Sequence, residues 1–239
     1  MSVLIWALAI AITAAAATVQ GTVGVGFAML SVPLLSLLHP ELAPAPQLLV
    51  ALPLTIGMAF RERRAIDLRG IGWILVGRLP GAFLGVFLLG VATARVLDAF
   101  IGIVVLGAVI IIGTGFHLKR TRMTKTLAGV ASGTTGVVSS IGGPPIALIY
   151  SSEESDTIRS TLAVIFTFGV TTSAFFRWLS GNFTMRDVEV AAVLLPAVLA
   201  GLYISVRIKD KVSRERVRAA IIIVCGIAAA ALLLRAVAG

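Results

Sequence analysis

The chain has 239 residues, 58% of them hydrophobic and 13% charged, with a formal charge of +9 and a mean hydropathy of +1.04. A soluble domain of this size has no interior able to hide that much apolar surface, so the composition reads as an all-α, polytopic helical membrane protein with the lipid bilayer as its first partner. The cations lie mostly in short clusters between apolar runs, where membrane topology places them, which argues against nucleic acid; the single cysteine, Cys225, excludes an internal disulfide, a CxxC redox pair or a cysteine metal site.

Residues 3–19 are apolar and rich in alanine. No lysine or arginine precedes them and apolar sequence resumes at once, so they read as membrane sequence and not as a cleaved signal peptide. Their pattern leaves open whether they make a full extra span. Gln20-Gly21-Thr22-Val23-Gly24-Val25-Gly26 interrupts the run, residues 27–38 are apolar again, and the loop His39-Pro40-Glu41 follows. Apolar stretches long enough, or nearly so, to cross a bilayer cover 43–60, 70–90, 96–116, 160–179, 188–206 and 219–236. Basic connections separate several of them: Arg61, Arg63, Arg64 and Arg69; Lys119, Arg120, Arg122 and Lys125; and a cluster from Arg207 to Arg218. The connection holding Glu153, Glu154 and Asp156 is acidic.

Residues 127–150 are apolar but broken. Gly133-Thr134-Thr135-Gly136-Val137-Val138-Ser139-Ser140-Ile141-Gly142-Gly143-Pro144-Pro145 carries four glycines, four hydroxyl side chains and two adjacent prolines. Glycine and proline weaken helices. A broken backbone at membrane depth survives only where protein or a water-filled cavity satisfies its polar groups. The first break has a related pattern: Gly21-Thr22-x-Gly24 aligns with Gly133-Thr134-x-Gly136 at an offset of 112. Phe60-Arg61 aligns with Phe176-Arg177, and Pro80 and Gly85 with Pro196 and Gly201, at an offset of 116, so one four-residue insertion reconciles the two. The expected organisation is a membrane repeat over 1–116, a basic linker over 117–126 and a second membrane repeat over 127–239. Each repeat holds a broken or re-entrant Gly-rich segment plus three transmembrane helices, about 8–9 membrane segments in all.

Lysine and arginine test whether 127–150 crosses. A single crossing leaves 11 of them on one side and 8 on the other, whereas a segment that re-enters and returns leaves 15 against 4. The second arrangement obeys the positive-inside rule and makes the repeats inverted.

The breaks are the candidate substrate site. Glycine lets a ligand or another backbone approach closely, and proline suits the first turn of a helix, so a half-helix is expected to start near Pro144. Its N-terminus would favour an anion, as would that of the half-helix after Gly24 and Gly26. Gly136, Gly142 and Gly143 give access, and Thr22, Thr134, Ser139 and Ser140 add hydroxyl donors. A second reading stays open: the glycines serve helix packing and the hydroxyls bond back to the backbone. Arg78 is the only charge well inside a plain span. Either it faces the interior and attracts substrate, or it snorkels or bonds carbonyls near Pro80-Gly81. Arg61 and Arg177 lie at span ends and read as interfacial anchors, as do His39 and His117. No Asp, Glu or His falls clearly mid-span, so a buried carboxylate relay, a metal site, a cofactor site and a nucleophile–base pair all lack residues, and no enzyme is expected. Proton coupling, if there is any, would use the substrate's own protonation.

Taken together, Gly21-Thr22-x-Gly24-x-Gly26-Phe27 with Pro33 downstream, Gly133-x-x-Gly136, Gly142-Gly143-Pro144-Pro145 and Pro80-Gly81-x-x-x-Gly85 resemble the TauE/SafE sulfite-exporter family, also called the 4-toluene sulfonate uptake permease group. The resemblance covers nearly the whole chain. It implies a secondary transporter of a small sulfur oxyanion or organosulfonate in the bacterial or archaeal cytoplasmic membrane. An anion channel and a non-transporting membrane scaffold or assembly factor are the alternatives. A homo-oligomer is compatible with the sequence.

Overall fold

The computed structural model describes residues 1–63, 66–115, 118–150, 155–209 and 211–238; Arg64, His117, Glu153 and Glu154 lie outside the described residues. The described residues form ten α-helices: α1 Val3–Val23, α2 Phe27–Leu38, α3 Ala45–Arg61, α4 Ile71–Val91, α5 Ala94–Thr114, α6 Arg122–Ser139, α7 Gly143–Tyr150, α8 Ser155–Leu179, α9 Met185–Ile208 and α10 Arg214–Ala238. Seven of these, α3 counted together with the short 3-10 turn Pro40–Leu42 that leads into it, are long and apolar enough to cross a membrane. The other three are α2, α6 and α7, which together with α1 form the arms of the two breaks. Residues 3–19 belong to one of the seven, α1. The stretch read as a basic linker is helical from Arg122 onward, because Thr121 and Thr124 form a reciprocal N-terminal cap there.

The helices pack in an exchanged pattern. α4 runs along α6, and α1 runs along α9. The α4–α6 interface is backbone against backbone: a Cβ on Gly81 would overlap Val130, and one on Gly133 would overlap the carbonyl of Arg78. Only glycine permits that approach. In the other pair Gly201 faces Ala14 and Ala17. α3 contacts α8 and α9, α8 also contacts α4, and α5 pairs with α10. Replacing each helix by the one five places later turns the α4–α6 contact into α9–α1.

The helix ends shift the alignment of the breaks. α1 stops at Val23 and α6 at Ser139, each capped by a residue in the left-handed region, Gly24 and Ser140. Those ends are 116 residues apart, the same offset that links Arg61 with Arg177 and Pro80 with Pro196. No four-residue insertion is needed at the backbone level. The Gly-Thr likeness at 112 misleads because Gly133-Thr134 sit within the body of α6, whereas Gly21-Thr22 sit in the last turn of α1.

Ion pairs sort the connections into two ends. At one end Arg159 bonds Glu62 at 2.9 Å, Lys209 stands 3.7 Å from the same carboxylate, and Arg120 bonds Asp67. At the other end Arg186 bonds Glu41 at 3.0 Å and Arg235 bonds Asp98 at 2.6 Å. The α6–α7 hairpin enters and leaves at the basic end. The N–H of Leu118, just before α6, donates to the carbonyl of Leu148 near the close of α7 (3.2 Å), and Arg120 lies over the Tyr150 ring at 4.7 Å.

Candidate functional site

Each break is a reversal built from left-handed backbone. Gly24 and Gly26 have φ of 98° and 126°, values that a side chain would strain. The Gly24 N–H closes the last turn of α1 on the Gln20 carbonyl (2.7 Å), and the Gln20 Oε1 accepts from the Phe27 N–H at the start of α2 (3.1 Å). In the second break Ser140 takes φ 61° although it is not glycine, and its hydroxyl donates to the Pro44 carbonyl at 2.8 Å, which holds it there. Gly142 then lies level with the middle of α6, where the Ser132 hydroxyl donates to its carbonyl.

The two breaks meet. A Cβ on Gly143 would stand 3.1 Å from Val25 and 3.4 Å from the Phe166 ring. Beside this contact is a cavity of about 50 Å³, lined by Gln20 and Gly26 from one break, by Gly136, Ser140, Gly142 and Gly143 from the other, and by Arg78, Gly169 and Ser173; apolar side chains such as Phe27, Leu48 and Phe166 form much of the rest of the wall. One water needs roughly 10–15 Å³ on this measure, so the space suits a small polyatomic ion.

Arg78 comes from α4 and is only 3% exposed. Nη1 donates to the Ser132 hydroxyl, and Nε has no partner among the described residues. Among the described residues no carboxylate pairs with it. A Cβ on Gly169 of α8 would fall on the guanidinium, and one on Gly136 would lie 3.1 Å from Nη2 and 3.0 Å from Ser173 Oγ. This burial removes the snorkelling reading, and Ser132 rather than a carbonyl near Pro80 is the partner. A buried cation without a counter-charge is costly, and the cavity is where an anion can supply one.

The structure brings Gly26, Arg78, Gly136, Ser140, Gly142 and Gly143 to one wall. It directs the other candidates elsewhere. Gly24 packs on Arg159. Thr22 donates to the Thr18 carbonyl (2.7 Å), Thr134 to the Gly81 and Val130 carbonyls (both 3.0 Å) and Ser139 to the Thr135 carbonyl (2.8 Å). Pro144 is buried in α7 and lies off the lining. Pro144 and Pro145 carry no N–H, so Gly143 and Ile146 are the donors left in the first four residues of α7. Four wall or supporting residues, Gln20, Ser132, Gly169 and Ser173, were not singled out by sequence. Only a weak spacing marked three of them: Ser132 stands four residues before Gly136 in α6, and Gly169 four before Ser173 in α8.

Arg61 and Arg177 are not interfacial anchors. Arg61 donates to the Gly21 carbonyl (2.6 Å) and to Ser205 Oγ (3.1 Å). Arg177, 4% exposed, donates to the Val137 (2.6 Å) and Val138 (3.0 Å) carbonyls. The last turn of a helix leaves carbonyls unpartnered and favours a cation. Each guanidinium satisfies those groups at the end of the arm that precedes a break. Among the described residues no three His, Cys, Asp or Glu side chains gather as a metal site.

Seven long apolar helices among the described residues, with two broken hairpins facing one cavity, are the architecture of a multi-pass membrane protein. The chain matches the family model described as Sulfite exporter TauE/SafE over residues 8–232 and belongs to that family. The family is one of membrane transporters of the sulfite-exporter type, not of enzymes. No curated protein and no solved structure matches the chain significantly.

Proposed function

We propose that the chain is a secondary transporter that moves a small sulfur-containing anion, of the sulfite, sulfonate or sulfoacetate type, by alternating access. The observation that carries this reading is the shared cavity: both breaks and a buried, carboxylate-free Arg78 line it. Arg78 supplies the charge, and the free N–H groups at the start of α7 supply further donors. Repeats over 1–116 and 127–239, joined through 117–126, would exchange places about the cavity. The exchanged packing of α4–α6 and α9–α1 supports that scheme. The cavity wall holds no carboxylate or histidine among the described residues, so a coupled proton would travel on the anion. The basic end faces the cytoplasm by the positive-inside rule, in a bacterial or archaeal inner membrane.

Counterflow in liposomes tests the reading. Internal sulfite should accelerate uptake of labelled sulfite, and Arg78→Gln should lower that exchange at least tenfold at equal reconstitution. Uptake indifferent to internal anion would identify a channel. No flux of sulfite, thiosulfate, sulfoacetate, taurine or sulfate would leave the scaffold reading.

A further inference from the structure

The hydrogen-bond accounting at Arg78 leaves Nε and Nη2 of its guanidinium uncommitted among the described residues. The Ser132 hydroxyl has a single proton, and it goes to the Gly142 carbonyl at 2.5 Å. Its oxygen therefore accepts from Arg78 Nη1, which fixes the direction of that bond. Gly169 covers the guanidinium face, since a Cβ there would come nearest to Cζ. Nη1 is the one bonded nitrogen among the described residues; Nε is buried with no partner, and Nη2 lies in the notch beside Gly136. Nε–H and Nη2–H point the same way on one edge, the fork that meets two oxygens of one anion.

We propose that Ser132 is a positioning residue: it anchors Nη1 so that Arg78 offers its Nε–Nη2 edge to the cavity and selects anions carrying two adjacent oxygens over spherical ones. This rests on the reading of the cavity as an anion site, but not on sulfur as the element. A single-point cation would attract bromide as readily as formate. A held fork does not, because bromide cannot engage both donors at their ideal angles. Gly169 takes part by having no side chain to push the guanidinium aside.

Isothermal titration of the purified full chain with sulfite, formate and bromide, at constant ionic strength, tests this. Wild type should prefer sulfite and formate to bromide. Ser132→Ala should weaken both oxyanions at least tenfold and leave bromide within twofold, and Ser132→Thr, which keeps the hydroxyl, should retain the preference. Gly169→Ala gives a second route to the same collapse and stands in should Ser132→Ala not fold. Unchanged oxyanion affinity in both Ser132→Ala and Gly169→Ala overturns the assignment. So does a parallel loss for all three anions, which would mark a merely structural role. A wild type that binds formate but not sulfite removes the proposed substrate and keeps the positioning role. A wild type that binds none of the three overturns both.

Discussion

Gly143 sits where the two breaks touch, with Val25 and the Phe166 ring already at contact distance of its missing Cβ. Alanine would ask its neighbours for a few tenths of an ångström; valine adds two more methyl groups beside Val25 and the Phe166 ring and into the cavity. Gly143→Val should abolish anion binding while the protein still inserts and runs as a single species by size exclusion. Sulfite affinity within twofold of wild type in that variant would remove this contact from the site. The same residue shows which features the sequence made visible. Glycine and proline act through their own covalent geometry, so Gly142-Gly143-Pro144-Pro145 announced a break without any tertiary information. The hydroxyls did not. Thr22 and Ser139 bond carbonyls four residues back, and such local bonds compete with any ligand-facing role in a way that residue type alone does not reveal.

At the scale of an element, the arm before each break ends in carbonyls that no residue of its own helix can satisfy. Arg177 reaches α6 from α8, and Arg61 reaches α1 from α3. Hydrogen bonds from charged donors contribute about 1.5–3 kcal/mol, so Arg177→Met should lower the unfolding free energy by roughly that amount, read as a fall in thermal midpoint in detergent. Arg61 is more exposed, with 16% of its side chain accessible, and Arg61→Met should cost less. Equal midpoints for wild type and Arg177→Met would discount the capping role. Position in a span explains why these two were misread: an arginine at a helix end looks interfacial until the neighbouring helix terminus is known. The spans themselves were legible because hydropathy over about twenty residues is a local property. Ser132 and Gly169 were not, because their importance comes from Arg78, which lies on a different helix from either.

For the whole molecule, the two-ended sorting of ion pairs gives a topology that labelling can check. In a Cys225→Ala background, single cysteines at Arg63 and Lys211 should react from the same side of the membrane, and one at Arg95 from the opposite side. Reaction of the first two from opposite sides would defeat the inverted arrangement and the re-entrant course of α6 and α7. The charge count along the chain favours this arrangement. It could not supply the partner of each charge, and the Glu62–Arg159 and Asp67–Arg120 pairs join segments 97 and 53 residues apart.

The glycine-lined seam between α4 and α6 has a mechanical meaning. Two backbones in direct contact, with no side chains between them to slide or rotate, move as one rigid body. α4 is contributed by the first half of the chain and α6 by the second, and α1 and α9 are crossed in the opposite sense. In the proposed alternating-access cycle the moving parts would be interleaved: each would take its broken hairpin from one half of the chain and its supporting helix from the other. Arg78 belongs to residues 1–116 by sequence, yet it packs against the second break. The two halves expressed as separate chains would each carry a hairpin without its brace, and neither would hold the guanidinium against Ser132.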